Sequence, residues 1–224
     1  MSFGDKKLSE IAVSVPGSTS LLREYDLDFC CGGSDTLANA AAEKGLNLAE
    51  IETRLTELQN SKAENPEEYW VNATYPEIID HILVRYHQRH REQLQELIVL
   101  ADRVESVHGD REDCPMGVAA ELRNVYEDLS NHMMKEEHVL FPMIKAGNYM
   151  MAQMPIRMME MEHAEHGEHL DVLKSLTNNM TPPADACNTW RALYSGIQEF
   201  ADDLMMHIHR ENNILFPRVI AKNH

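Results

Sequence analysis

The sequence predicts an all-α protein, with a C-terminal antiparallel four-helix bundle and a small N-terminal helical domain before it. Three observations carry this. Strand signals are nearly absent after residue 74, and four long stretches there space apolar residues by alternate steps of three and four. One sentence is also written twice. HMMKEEHVLFPMI runs from His132 to Ile144, and HIHRENNILFPRV follows from His207 to Val219.

Residues 1–60 divide into short helical pieces. Pro16, Gly17 and Ser18 open STSLLREYD, Ser34 is placed to cap TLANAAAEK before Gly45, and Asn47 is placed to cap LAEIETRLTELQ. Five residues, IAVSV, fit a strand as well as a helix. Residues 61–74 turn polar around Pro66 and are expected to be a linker. The bundle should then occupy 75–224. Its first helix starts at the capping box Thr74-x-x-Glu77 and runs to Gly109. The second is expected from near Pro115 and the third from near Pro155. The fourth follows TPPAD, with Thr181 as cap and Pro182 and Pro183 in the first turn. Pro142 and Pro217 should kink or end their helices, since each lacks an N–H and crowds the carbonyl four residues back.

The repeat extends beyond those two stretches. HQRHREQL (His87 to Leu94) and HAEHGEHL (His163 to Leu170) share His-x-x-His and the closing Leu, so two related helix pairs follow one another. On the core seams, the second helix reads Val118, Leu122, Val125, Leu129, His132, Glu136, Leu140. The fourth reads Leu193, Ile197, Phe200, Leu204, His207, Glu211, Leu215. The first carries both His87 and His90 on its seam, and the third both His163 and His166. A lone core carboxylate costs several kcal/mol unless it is paired. One core His is ordinarily a hydrogen-bonded imidazole. Four helices with His on the seam, two of them with Glu one turn on, point instead to cations held inside the bundle. Imidazole with carboxylate suits iron or manganese better than structural zinc. Two shared carboxylates and two His per ion leave a coordination position open for chemistry.

Composition limits the partners. With 20 basic and 37 acidic residues the formal charge is −17, which excludes nucleic acid and anionic membrane. No apolar run has the length of a membrane span, the start MSFGDKKLSE lacks a signal-peptide core, and Cys30, Cys31, Cys114 and Cys187 do not make a disulfide framework. A cytoplasmic protein is expected.

With YDLDFCCGG, RYHQRHREQ, HMMKEEHVLFPMI, MEMEH and HIHRENNILFPRV together, the chain resembles the hemerythrin-like His/Glu cation-binding domains. More closely, and over nearly its whole length, it resembles the bacterial Repair of Iron Centers di-iron proteins. The resemblance implies two non-haem iron ions, bridged by the carboxylates of Glu136 and Glu211 and an oxo or hydroxo group. It assigns His87, His132, His163 and His207 as ligands, choosing His87 over His90 and His163 over His166. It implies repair of iron–sulfur clusters damaged by nitric oxide or oxidants, by iron donation. Reduction of nitric oxide at the di-iron centre, or sensing of oxygen or nitric oxide, are the alternative readings; whether the chain is an enzyme is left open. The implied partners are damaged iron–sulfur proteins or a cluster scaffold, with nitric oxide or oxygen as small ligands and a homodimer as an allowed assembly. Gly167 stands where an oxygen carrier has a further His, and His207-x3-Glu211 replaces its His-x4-Asp, so oxygen carriage is not expected.

Cys30 and Cys31 are favoured as redox or transfer thiols, and Cys114 and Cys187 as incidental. Glu162, beside His163, is the candidate to support a ligand or to admit metal. Seven of the 14 Met lie between Met143 and Met161 and are expected to pack the core, with a partner surface as the alternative. His81, His108, His138, His209 and His224 are assigned to the surface or to the surroundings of the site.

Overall fold

The computed structural model describes residues 2–61 and 63–222, and His224 therefore lies outside the described residues. Among those residues every regular element is helical, apart from one isolated bridge between Lys7 and Thr36. By backbone contacts the chain divides into two compact units, residues 1–78 with 206–224, and residues 79–205.

The first unit begins with α1 (Leu8–Ser14), α2 (Ser18–Glu24), α3 (Leu37–Glu43) and α4 (Leu48–Asn60). IAVS belongs to α1, and only Val15 is extended. The cap of α3 is Thr36, whose side chain accepts from Asn39 N–H, in place of Ser34. Asn47 caps α4 through Glu50 N–H, as its position predicts. Leu8, Ile11, Leu22, Leu27, Phe29, Leu37, Ile51 and Leu55 are buried together as its apolar core. The stretch expected as linker contains a helix, α5 (Pro66–Asn72): Asn65 caps it through Glu67 N–H, and Pro66 supplies a preset φ at the first position. α6 (Tyr75–His81) opens on the Thr74–Glu77 capping box, with Glu77 Oε2 accepting from Thr74 N at 2.7 Å.

Within this unit the end of the chain is tied to the N-terminal pieces. Arg210 pairs with Glu67 and lies over the Trp70 ring at 4.8 Å, with both charged residues buried. Arg218 donates to the carbonyls of Trp70 and Ala73, and Tyr75 Oη donates to the carbonyl of Arg218.

The second unit is built on α7 (Gln88–His108), α8 (Val118–Lys135), α10 (Tyr149–Leu176) and α11 (Asn188–His209) up to residue 205, with the short α9 (Phe141–Lys145) after α8. α8 starts at Val118 and not at Pro115, because Gly117 makes the entry turn at φ 100°. α10 starts six residues before Pro155, where Gly147 at φ 76° ends α9; Pro155 deletes one bond from a 28-residue helix without ending it. α11 starts at Asn188 rather than at TPPAD. Asn178, Asn179 and Met180 all take positive φ after α10, so the following prolines belong to the connection. Gly196 permits close packing of α11 on α7, since a Cβ there would come within 2.7 Å of Leu97 Cδ2.

Neither Pro142 nor Pro217 ends its helix. Each is preceded by a wider π turn, residues 136–140 and 210–215, and the helix resumes as α9 and as α12 (Phe216–Ala221). A third π turn, residues 82–87, separates α6 from α7. The methionines expected in the core mostly lie outside it. Met150, Met151, Met154, Met158 and Met161 are exposed, and of the run on α10 only Met159 is buried.

Candidate metal centre

The polar residues predicted on the seams are where the helical period puts them. His87, His132, Glu136, His163, His207 and Glu211 are all buried, and so are His90 and His166. Three of the six candidates lie in π turns: His87 ends the first, Glu136 opens the second, and Glu211 lies in the third. π turns within α-helices are rare and recur at functional sites.

The second unit contributes four of the six. Glu136 Oε2 lies 3.3 Å from His87 Nε2 and 3.4 Å from His132 Nε2, and His132 Nε2 lies 3.1 Å from His163 Nε2. The backs of two rings are held by carboxylates. His87 Nδ1 is 2.8 Å from Glu137 Oε1, which Arg91 also contacts at 2.7 Å. His132 Nδ1 is 2.9 Å from Glu162 Oε2, whose other oxygen takes Lys135. In the first unit, His207 Nε2 lies 3.3 Å from Glu211 Oε1.

Charge fixes the tautomers. The His87 hydrogen bond, helped by Arg91 against the opposing effect of burial, holds the Glu137 carboxyl down at about 2; the His132 bond, with Lys135, does the same for Glu162, also about 2. Both carboxylates are ionised at neutral pH and can only accept, so each Nδ1 donates. Each ring then turns its Nε2 toward Glu136, at 3.3 Å from His87 and 3.4 Å from His132. Imidazole nitrogen and carboxylate oxygen facing each other in a dry core need a proton or a cation between them. The donor set of imidazole nitrogen and carboxylate oxygen, without thiolate, therefore fits iron or manganese.

Two groups of ligand atoms result. In the second unit those of His132, Glu136 and His163 lie within 4.8 Å of one another, as do those of His87 and Glu136; in the first unit so do those of His207 and Glu211. His90 and His166 lie outside these groups: His90 Nδ1 lies 3.3 Å from Gln93 Oε1 and its ring packs edge-on to Phe200, while the His166 ring packs edge-on to His132.

Residues 78–219 match the family described as "Hemerythrin HHE cation binding domain", and residues 4–59 match a "Domain of Unknown function (DUF542)". A Haemophilus influenzae protein named "Probable iron-sulfur cluster repair protein" is 68% identical over 220 residues, covering 98% of this chain and 99% of its own. Proteins of Musicola paradisiaca and Citrobacter koseri, both named "Iron-sulfur cluster repair protein YtfE", are 54% identical over 98–99% of both chains. The chain belongs to the Repair of Iron Centers family. Its hemerythrin-like segment encloses all six seam residues, and its N-terminal match encloses Cys30 and Cys31. No helix among the described residues is long and apolar enough to cross a membrane.

Two neighbours of the site escaped the sequence reading. Glu137 lies off the seam of its own helix, and its partner His87 is 50 residues earlier. The signal available was adjacency to a seam residue, since Glu137 follows Glu136 as Glu162 precedes His163; the repeat itself has Asn212 and Tyr86 at the corresponding places. His209, assigned to the surface or surroundings, is fully buried. It packs edge-on to Phe29 and shares a 2.8 Å hydrogen bond with Asn213, and burial lowers its pKa. His138 is exposed, as expected.

Proposed function

We propose that this protein holds two non-haem iron ions, one with His87 and His207 and the other with His132 and His163. Glu136, Glu211 and an oxo or hydroxo group bridge them, and the iron serves to repair iron–sulfur clusters damaged by nitric oxide or oxidants. The observation that carries the reading is the set of buried imidazole Nε2 atoms set against the buried carboxylates of Glu136 and Glu211. The names of the relatives support the same role. Iron bound there supplies ferrous ions for a depleted cluster and a redox-active pair for nitric oxide.

The chain's own groups set the terms of exchange. Glu137 and Glu162 accept from Nδ1 of His87 and His132, which turns each Nε2 toward Glu136. Burial excludes water and keeps Glu136 and Glu211 from being solvated, so losing a cation exposes their repulsion. Imidazole and carboxylate compete weakly for ferrous iron against thiolate and sulfide, so iron passes downhill from this donor set to a cluster site.

Iron analysis with Mössbauer spectroscopy tests this. Two irons per chain are expected, with loss of at least one from Glu136→Gln and from Glu211→Gln while the far-UV helical signal stays. The iron-loaded protein should restore a nitric-oxide-damaged iron–sulfur enzyme faster than the metal-free protein does. Zinc as the main metal, or equal repair by metal-free protein, refutes the reading.

A further inference from the structure

The Cys-Cys-Gly-Gly turn holds a second group of ligand atoms. We propose that Asp28, Cys30 and Cys31 form a separate site for one thiophilic divalent cation, ferrous iron in repair, held in transit to the acceptor. This deepens the iron-donor reading and rests on it. Oxygen and sulfur atoms of the three residues lie within 4.8 Å of one another.

The geometry suits an ion better than a bond. Cys30 Sγ and Cys31 Sγ are 3.8 Å apart, far beyond the disulfide length of about 2.05 Å. A tetrahedral ion with metal–sulfur bonds of about 2.3 Å separates its two sulfurs by about 3.8 Å. Asp28 Oδ1 lies 3.1 Å from Cys30 Sγ, on the same side of the turn. Three protein ligands leave a fourth position open. Cys30 is buried, while Cys31 is half-buried and Asp28 exposed, so that position can meet an acceptor's thiolate from one side only.

The turn is formed before any ion arrives. Asp28 accepts from the N–H groups of Cys30, Cys31 and Gly32, which aims the carboxylate at the thiols. Gly33 must lack a side chain, because a Cβ there would lie 2.5 Å from the Phe29 carbonyl oxygen; one on Gly32 would lie 3.2 Å from Asp28 Oδ2. Asn212 Nδ2 donates to the Cys30 carbonyl and Asn213 Nδ2 to the Phe29 carbonyl. Those two Asn directly follow Glu211 in the chain, so one π turn carries both a ligand of the bundle site and the clamps of the thiol turn.

No redox step is involved. A divalent ion displaces the two thiol protons to solvent and forms two metal–sulfur bonds, and transfer reverses this as the acceptor's thiolates replace them. The Cys31 hydrogen bond, burial and the neighbouring charges of Cys31 and Asp28 all push the Cys30 thiol up, so without metal Cys30 stays a thiol.

Cobalt(II) added anaerobically to the iron-loaded full-length protein is the test. A thiolate-to-cobalt charge-transfer band should appear and saturate at one cobalt per chain. Cys30→Ser and Cys31→Ser should each lose it. Asp28→Asn keeps a carbonyl for the turn's N–H groups and should weaken cobalt binding about 10–100-fold. Should a serine variant lose helicity, alkylation of the wild-type thiols replaces it, and must abolish the band. No band, or a band unchanged in both serine variants, overturns the site. Wild-type repair by an iron-loaded double serine variant overturns the transfer role and leaves the bundle reading intact. A normal cobalt band in a protein that delivers no iron refutes the repair reading and leaves the cation site standing.

Discussion

Replacing Glu137 or Glu162 by Gln should weaken metal binding about tenfold without emptying the site. Neither residue belongs to the two ligand groups; each holds the back of a ring at 2.8 or 2.9 Å. Glutamine has nearly the same shape and its carbonyl oxygen can still accept from Nδ1, so the perturbation is chiefly one of charge. Hydrogen bonds to charged groups contribute about 1.5–3 kcal/mol and neutral ones about 0.5–1.5 kcal/mol, a difference of about 1–1.5 kcal/mol. At 1.4 kcal/mol per decade that is about tenfold in affinity, because the weakened ring is less basic toward a cation. Arg91 and Lys135 lose their ionic partners as well, but both are partly exposed and add little. Affinity is read by competing a ferrous chelator against the wild-type and variant bundles. Nitrogen-15 NMR of the metal-free protein reads the tautomer: His87 and His132 should each hold the proton on Nδ1, and the matching Gln variant should blur that preference. Wild-type affinity in both variants, with unchanged ring resonances, would refute the claim that these carboxylates set the ligand state.

Two further outcomes follow from the packing. Glu67→Ala strands the buried Arg210 guanidinium and should cost about 3–5 kcal/mol in urea unfolding, whereas replacing Glu67 and Arg210 together by Met should restore most of it; a single variant within about 1 kcal/mol of wild type refutes the buried pair. Burial opposes charging of His169, but the Glu121 and Asp128 carboxylates at 2.6 and 3.0 Å outweigh it and raise the pKa. A raised histidine stabilises fully below its unfolded value of about 6.5, and that contribution fades as pH rises through the folded value. His169→Gln should therefore lower the urea midpoint more at about pH 5.5 than at about pH 8.5. An equal loss at both pH values refutes the pairing.

The candidate site was legible because its residues break an otherwise apolar period. A His or Glu on a seam of Leu, Val and Ile is visible without coordinates, and the duplicated pattern rules out accident. Spacing alone could not separate His87 from His90 or His163 from His166, since both members of each pair are buried. What stayed hidden depends on contacts distant in sequence. Glu67 sat in a polar stretch around a proline that resembles a linker, and its reason to fold lies 143 residues away in Arg210. His209 falls off the seam and so reads as a residue of the surface or of the site's surroundings, while the neighbours that bury it, Phe29 and Glu67, come from the start of the chain. The α10 methionines were assigned to the core by hydrophobicity, but a long helix has an outer face, and Met150, Met154, Met158 and Met161 at steps of four and three follow it.

The π turns were written in the sequence too, in a form that only the backbone explains. A seam on a regular α-helix alternates steps of four and three, because seven residues bring the chain within about 20° of two full turns. The α8 seam ends His132, Glu136, Leu140 and the α11 seam ends His207, Glu211, Leu215, two steps of four in succession. Eight residues overshoot two turns by about 80°, so on a regular helix Leu140 and Leu215 would swing away from the core. Both are buried. One added residue in the turn takes up about 100°, and the backbone has it: Phe141 N–H bonds the Glu136 carbonyl and Phe216 N–H the Glu211 carbonyl, five residues back in each case. The first helix follows the same rule, with Ile78, Ile82, Tyr86 and His90 buried at successive steps of four across its π turn and Gln88 N–H bonded to the Leu83 carbonyl. The prolines then fit, since the widened turn lies where Pro142 and Pro217 would otherwise crowd a carbonyl four residues earlier. A doubled step of four on a polar-interrupted seam, closed by Leu-Phe-Pro, thus specifies the backbone that aims Glu136 and Glu211 inward while keeping the apolar residues beyond them in the core.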